Sequence, residues 1–161
     1  MTDSRIARIT DVNLNRLTEG LRVVEDVVRL GLEDRRLLSG VRKLRTQVGR
    51  DVRALRRQVI ASRKSETDLG RGDRFDRAKR RSLEDVLLAN FKRAEESARV
   101  LEEVLKVAEP ALAGKFKAVR FRLYDLERDA VCKYEVRNPN TKSSPNDRSK
   151  NVGLRSFNRH S

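Results

Sequence analysis

The strongest constraint on this chain is an amphipathic helical segment that occurs twice. Residues 13–30 align without gaps on residues 90–107, with seven identities in eighteen positions: Asn13/Asn90, Arg16/Arg93, Glu19/Glu96, Arg22/Arg99, Val23/Val100, Glu25/Glu102 and Val27/Val104. Chance would supply roughly one. The likeness continues at a separation of 75, where Val41-Arg42-Lys43-Leu44-Arg45 faces Phe116-Lys117-Ala118-Val119-Arg120. The repeated unit is therefore a helical hairpin. It turns at Gly31-Leu32-Glu33-Asp34 in the first copy and at Glu109-Pro110 in the second, where Pro suits the first turn of the following helix.

Periodicity predicts helices near 11–31, 34–60, 83–108 and 110–135, with Ser82 and Asp85 as the N-terminal cap of the third. The stretch Arg63 to Arg81 has no apolar period and reads as a basic loop between the hairpins. From Asn138 the chain is rich in turn formers, so 137–161 reads as a basic disordered tail on a 1–136 domain with copies 13–58 and 90–135. The length, 161 residues, suits one compact unit. With only five Phe, two Tyr and no Trp, the core must be Leu, Val and Ala, which fits helix packing. The expected fold is all-α, a bundle of two related hairpins.

Charge and rare residues narrow the chemistry. Of the net +14, +5 lies in the tail and +9 in the remainder, so a polyanionic partner is expected, either nucleic acid or small phosphate esters. One Cys (Cys132) and one His (His160, beside the last residue) exclude a disulfide framework, a Cys/His zinc site and a Ser–His or Cys–His catalytic pair. The longest run without a charge is six residues, Val86 to Phe91, too short for a membrane span or a secretory core, and the expected location is the cytoplasm. Neither a Rossmann fingerprint nor a P-loop occurs; Gly70-x-Gly72 is too short for either.

On a helical wheel of about 100° per residue, Asn13, Arg16 and Gly20 fall inside the apolar arc, as do Asn90, Arg93 and Ser97. Each arginine should then sit in a packed interface and need an acceptor, for which Glu19 and Glu96, three residues on, are placed. Two readings follow. One is an internal Arg–Glu network tying the hairpins together. The other is a cleft lined by Arg16, Arg93, Arg45 and Arg120 in which phosphate takes over part of the pairing, a role that suits the guanidinium fork. Lys79-Arg80-Arg81 adds three cations at a helix start. Tyr124 and Asp125 lie one turn beyond Arg120 and suit a polar ring or a metal.

The motifs resemble a known family. The run Asp11 to Asp26, Ala89-Asn90-Phe91-Lys92-Arg93 with Glu96 and Arg99-Val100-Leu101-Glu102-Glu103, and Arg120-Phe121-Arg122-Leu123-Tyr124-Asp125-Leu126-Glu127 are similar to the motifs of the small hydroxymethylpyrimidine-phosphate kinases of bacterial thiamine synthesis, which occur alone or fused to thiamine-phosphate synthase. The likeness covers Arg5 to Glu127. It implies transfer of the ATP γ-phosphoryl group, with Mg²⁺, to 4-amino-5-hydroxymethyl-2-methylpyrimidine monophosphate. On that footing Arg16, Glu19, Arg93 and Glu96 are the candidate catalytic residues. Asn13, Asn15, Arg22, Arg45, Arg63, Asn90, Lys92, Arg99, Arg120 and Tyr124 are candidates for holding substrate or ATP, and Asp68, Glu19 and Glu96 for Mg²⁺. The middle loop departs from the family pattern: Arg63-Lys64-Ser65 and Asp68-Leu69-Gly70 stand where an Arg-Asp-Thr turn and Asp-Val-Gly are expected. The rival readings are a non-catalytic basic module that binds nucleic acid, disfavoured by the scarcity of aromatics for stacking, and a partner of thiamine-phosphate synthase. A homodimer is kept as a further candidate partner.

Overall fold

The computed structural model describes residues 3–72 and 79–137. These form an all-α bundle, as expected: α1 (Ser4–Val27), α2 (Arg35–Asp51), α3 (Arg53–Val59), α4 (Leu83–Ala108) and α5 (Pro110–Arg137). The expected tail, apart from Arg137, lies outside the described residues.

Two boundaries differ from the periodicity. Helix α1 starts at Ser4 rather than near Asp11, capped by the Asp3 carboxylate, which accepts from the Arg5 backbone N–H at 2.8 Å. The extra turns carry only Ala7 and Thr10 to the interior, too little apolar pattern to stand out. The second expected helix is two helices, kinked at Val52 (φ −95°, ψ −4°). Its backbone ladder persists through Val52 N–H to Val48 C=O at 3.0 Å and Arg56 N–H to Val52 C=O at 2.8 Å. The bend keeps Val48, Val52, Leu55 and Val59 all buried.

The caps follow the sequence. Asp34 accepts from the Leu37 N–H at 2.9 Å to start α2, and Ser82 accepts from the Asp85 N–H at 3.1 Å to start α4. Helix α1 ends in a π-helical turn, Val28–Leu32, and Glu33 adopts the left-handed conformation (φ 51°) that reverses the chain.

Helices α1 and α4 make the largest interface and run antiparallel. Gly20 of α1 lies against Asn90 and Ala94 of α4, Gly31 beside Leu83, and Ala7 near Leu105. A methyl at Gly20 would come within 2.9 Å of the Asn90 carbonyl oxygen, so glycine is what permits this approach. Leu14, Leu17, Leu21 and Val24 meet Leu87, Phe91, Ala98 and Leu101 in the seam, all fully buried; each such leucine contributes about 1.5–3 kcal/mol. Helix α2 packs on α1 and α5 on α4, so each hairpin covers one side of the seam.

The hairpins make matched contacts at matched positions. Asn13 donates its amide N–H to the Ile9 carbonyl and Asn90 to that of Val86, each at 2.8 Å. Buried Glu25 receives Arg45 from α2 at 2.6 Å; buried Glu102 receives Arg120 from α5 at 3.0 Å. Antiparallel packing of two copies relates them by an approximate twofold axis, whose centre falls near Leu17–Thr18 and Ala94–Glu95. No helix among the described residues is long and apolar enough to cross a membrane.

Candidate functional site

The arginines at the centre of the duplication do not enter the interface. Arg16 and Arg93 are exposed, as are Glu19 and Glu96, and neither arginine pairs with the glutamate one turn on. This corrects the expectation from the wheel. The seam at that level is filled by Leu17 and Ala94, while the arginines lie at the edge of the apolar arc, where a long side chain reaches water at no cost in buried charge.

Both arginines line one groove of about 660 Å³. Its floor is α1, with Ile9, Val12, Asn13, Asn15, Arg16 and Glu19; its wall is the segment after α3, with Arg63, Lys64, Ser65 and Asp68. Arg93 reaches in from α4, and Arg5 and Arg8 close the far end. Seven residues singled out from the sequence thus meet here: Asn13, Asn15, Arg16, Glu19, Arg63, Asp68 and Arg93. Asn13 is buried, and because its amide N–H is given to Ile9, its side-chain oxygen is left as the acceptor.

The wall is held by a residue that the sequence reasoning missed. Asp11 is 1% exposed, and its two carboxylate oxygens receive Arg63 Nε at 2.7 Å and Nη2 at 2.8 Å. One edge of the guanidinium is committed to Asp11 and Nη1 is left over. Asp11 raises the Arg63 pKa further, so the arginine is charged at any accessible pH. The signal was present in the sequence as an acidic residue opening the first motif, with Leu88 at the matched place in the second.

The remaining candidates lie elsewhere. Arg45 and Arg120 are turned to Glu25 and Glu102 and do not line the groove; these pairs join the two helices of one hairpin each, and so do not form the expected network between the hairpins through Glu19 and Glu96. Burial alone would raise the Glu102 carboxyl; Arg120 and Arg99 outweigh it and hold the carboxyl below its usual value. Arg99 spans Glu102 at 3.1 Å and Glu103 at 2.9 Å, and Arg22 pairs with Asp26 at 3.2 Å. Tyr124 is exposed and its hydroxyl accepts from Arg120 at 3.1 Å. Asn90 is half-buried on α4, and Glu96 projects from α4 outside the groove.

Lys92 binds Glu95 at 3.3 Å. Glu95 is 2% exposed and packs near Glu127 of α5; burial first, and then the neighbouring carboxyl, push its pKa up to about 7. Its Oε1 finds no donor among the described residues, which a proton held on this carboxyl would remedy.

No group of three or more His, Cys, Asp or Glu that could hold a metal ion occurs among the described residues. Of the three groove carboxylates, Asp11 is committed to Arg63, which leaves Glu19 and Asp68. Such a pair suits Mg²⁺ whose other ligands are phosphate oxygens and water, and does not suit a cation caged by protein alone.

Comparison with known proteins agrees in extent with the groove-bearing bundle. A family model described as the ThiD2 family matches residues 8–129. The chain is 43% identical over 126 residues to a thiamine-phosphate synthase of Synechococcus sp. (strain CC9605), covering 78% of this chain and 35% of that protein. Thiamine-phosphate synthases of Thermosynechococcus vestitus (40% over 124 residues, 76% and 34%) and Gloeobacter violaceus (41% over 127 residues, 78% and 36%) are also similar. The chain spans about a third of the length of these relatives. No solved structure gives a significant match.

Proposed function

The chain belongs to the ThiD2 family, and from that premise we propose that it is an enzyme of thiamine biosynthesis that phosphorylates 4-amino-5-hydroxymethyl-2-methylpyrimidine monophosphate to the diphosphate at the expense of ATP. The observation that carries this reading is the groove, where two arginines from the two copies of the repeat, without an acidic partner among the described residues, face a common space beside a buried asparagine acceptor.

The reaction asks little covalent chemistry of the protein. An oxygen of the substrate phosphate attacks the γ-phosphorus, the bond from that phosphorus to the β,γ-bridging oxygen breaks, and ADP leaves with the bond's electron pair. A phosphate monoester near neutral pH is largely a dianion, so the attacking oxygen has no proton to lose and no histidine base is required. What is required is cationic charge between two anions that repel each other. Arg16 and Arg93 supply it, in a groove where their forks can grip phosphate oxygens in pairs. Mg²⁺ would be held by Glu19 and Asp68 together with phosphate oxygens, and would neutralise the nucleotide's charge.

The deciding experiment is ADP release from ATP–Mg²⁺ with and without the pyrimidine monophosphate. Release that depends on the pyrimidine supports the reading, and a folded chain that gives none overturns it. A second reading is a non-catalytic partner of thiamine-phosphate synthase, the name its relatives carry. That reading expects ligand binding without turnover, and co-elution with the synthase.

A further inference from the structure

The groove has one wall that the long helices do not build. Residues 63–70, which follow α3 and its last turn, are exposed throughout. Among the described residues, their side chains are tied to the bundle at one place, the Asp11–Arg63 pair. On the footing of the kinase reading above, we propose that this pair is a clasp that holds the wall in its binding position. Arg63 gives its free edge to an oxygen of a ligand phosphate, and Asp11 is a positioning residue that acts through Arg63.

Burial gives the first reason. Asp11 is buried, and a carboxylate taken out of water is costly unless a well-placed partner and hydrogen bonds offset the loss. Apolar side chains fill such places at equal or better stability, and the matched position of α4 carries Leu88. An acid at position 11 is therefore not needed to close the bundle. What it adds is a fixed guanidinium at the edge of the groove.

The clasp also leaves the arginine something to give. Nε and an N–H of Nη2 are spent on the two Asp11 oxygens, and both N–H groups of Nη1 remain. A guanidinium held by one edge keeps its plane and direction when an anion arrives, whereas a free surface arginine must first be ordered. Arg63 also stands where the chain leaves its helix: its backbone N–H reaches the Ile60 carbonyl at 3.2 Å, and its ψ of 130° sends the next residues off extended. Lys64, Ser65 and Asp68 thus meet the groove from the point at which Arg63 is pinned. The Asp68 carboxylate is set by its own turn, accepting from the Gly70 N–H at 2.9 Å. Asp11 and Arg16 are separated by about 7.5 Å along the axis of α1, and Arg93 lines the same groove. A phosphate there meets cations from both floor and wall.

The test is binding of inorganic pyrophosphate to the full chain by calorimetry, with the thermal midpoint recorded for each variant. Arg63→Ala should weaken pyrophosphate tenfold or more, and so should Asp11→Leu, which installs the residue of the matched position; Asp11→Asn stands in if the leucine variant does not fold. The double variant Asp11→Leu/Arg63→Ala should bind within twofold of Arg63→Ala, because Asp11 then has nothing to act through. A pair that served stability alone would move the thermal midpoint and leave the affinity. The clasp is overturned by absence of pyrophosphate binding in wild type, by unchanged affinity in Arg63→Ala or in a folded Asp11 variant, or by losses that multiply in the double variant. Arg63 is exposed, so Arg63→Ala decides the matter even if both Asp11 variants unfold. Pyrimidine-dependent ADP release by wild type is recorded alongside. Coupled losses of affinity without turnover defeat the kinase reading and leave the clasp standing; turnover with affinities unchanged in the variants defeats the clasp alone.

Discussion

The two hairpins began alike and now differ at a few places. Both keep the buried glutamate met by an arginine from the following helix, and both keep an asparagine tied to its own helix one turn back. They part at Asp11 against Leu88 and at Thr18 against Glu95. Thr18 caps its own helix carbonyls and receives Arg56 at 3.1 Å, whereas Glu95 is buried against Lys92 and Glu127. The contacts that close the bundle are retained, and so are Asn13, Arg16 and Glu19 of the groove; the copies differ at Asp11, Asn15 and Thr18.

The comparison breaks most visibly at its centre. Arg16→Ala and Arg93→Ala should each lower turnover about 10²–10³-fold with an unchanged thermal midpoint, since both side chains are exposed and no acid among the described residues pairs with either. A large loss for one and none for the other would show that the halves no longer share the reaction.

Glu95 gives the next largest effect. Its folded pKa, about 7, lies above its unfolded value, so the folded state holds the proton more tightly. This contribution is fully present below about pH 4.5 and is lost as the pH rises through 7, with a slope of at most about 1.4 kcal/mol per pH unit. Denaturant titrations at pH 5 and pH 8 should show wild type losing stability relative to Glu95→Gln across that window, and Thr18, the matched residue, confers no such slope on the other half.

Gly20→Ala should destabilise by about 2 kcal/mol, because the new methyl meets backbone rather than a movable side chain. Among the matched acids, Glu102→Gln should cost about 2 kcal/mol and Glu25→Gln about 1. The first strands Arg120, which is only 14% exposed; the second releases Arg42 and Arg45, which are 50% and 38% exposed and can turn to water. Equal losses from the two would mean that the exposure of the partner is not what sets the cost.

Much of the fold was legible because duplication made it redundant: the apolar stripe of Leu14 to Val24 is seconded by that of Phe91 to Leu101, so helix positions, the Pro110 turn and the Ser82 cap could be read directly. The site was legible in its membership and less so in its geometry. Asn13, Arg16, Arg63, Asp68 and Arg93 do line one groove. The wheel treats every side chain as a point at one radius, however, and so placed Arg16 and Arg93 inside a seam that their length lets them leave. It also gave no weight to Glu25 and Glu102, since an acid beside valines reads as a defect until the arginine from the next helix is seen. Asp11 was opaque for a related reason: its partner is fifty-two residues away, beyond any local pattern.

The close approach at Gly20 belongs to an interface whose two sides are copies of each other. In a symmetric dimer of single hairpins every substitution would fall on both sides at once, and an aspartate at the groove edge would appear twice or not at all. Joining the copies in one polypeptide lifts that restriction. One side can carry Asp11 and the arginine it holds while the other carries Leu88, and a groove can form along one copy alone.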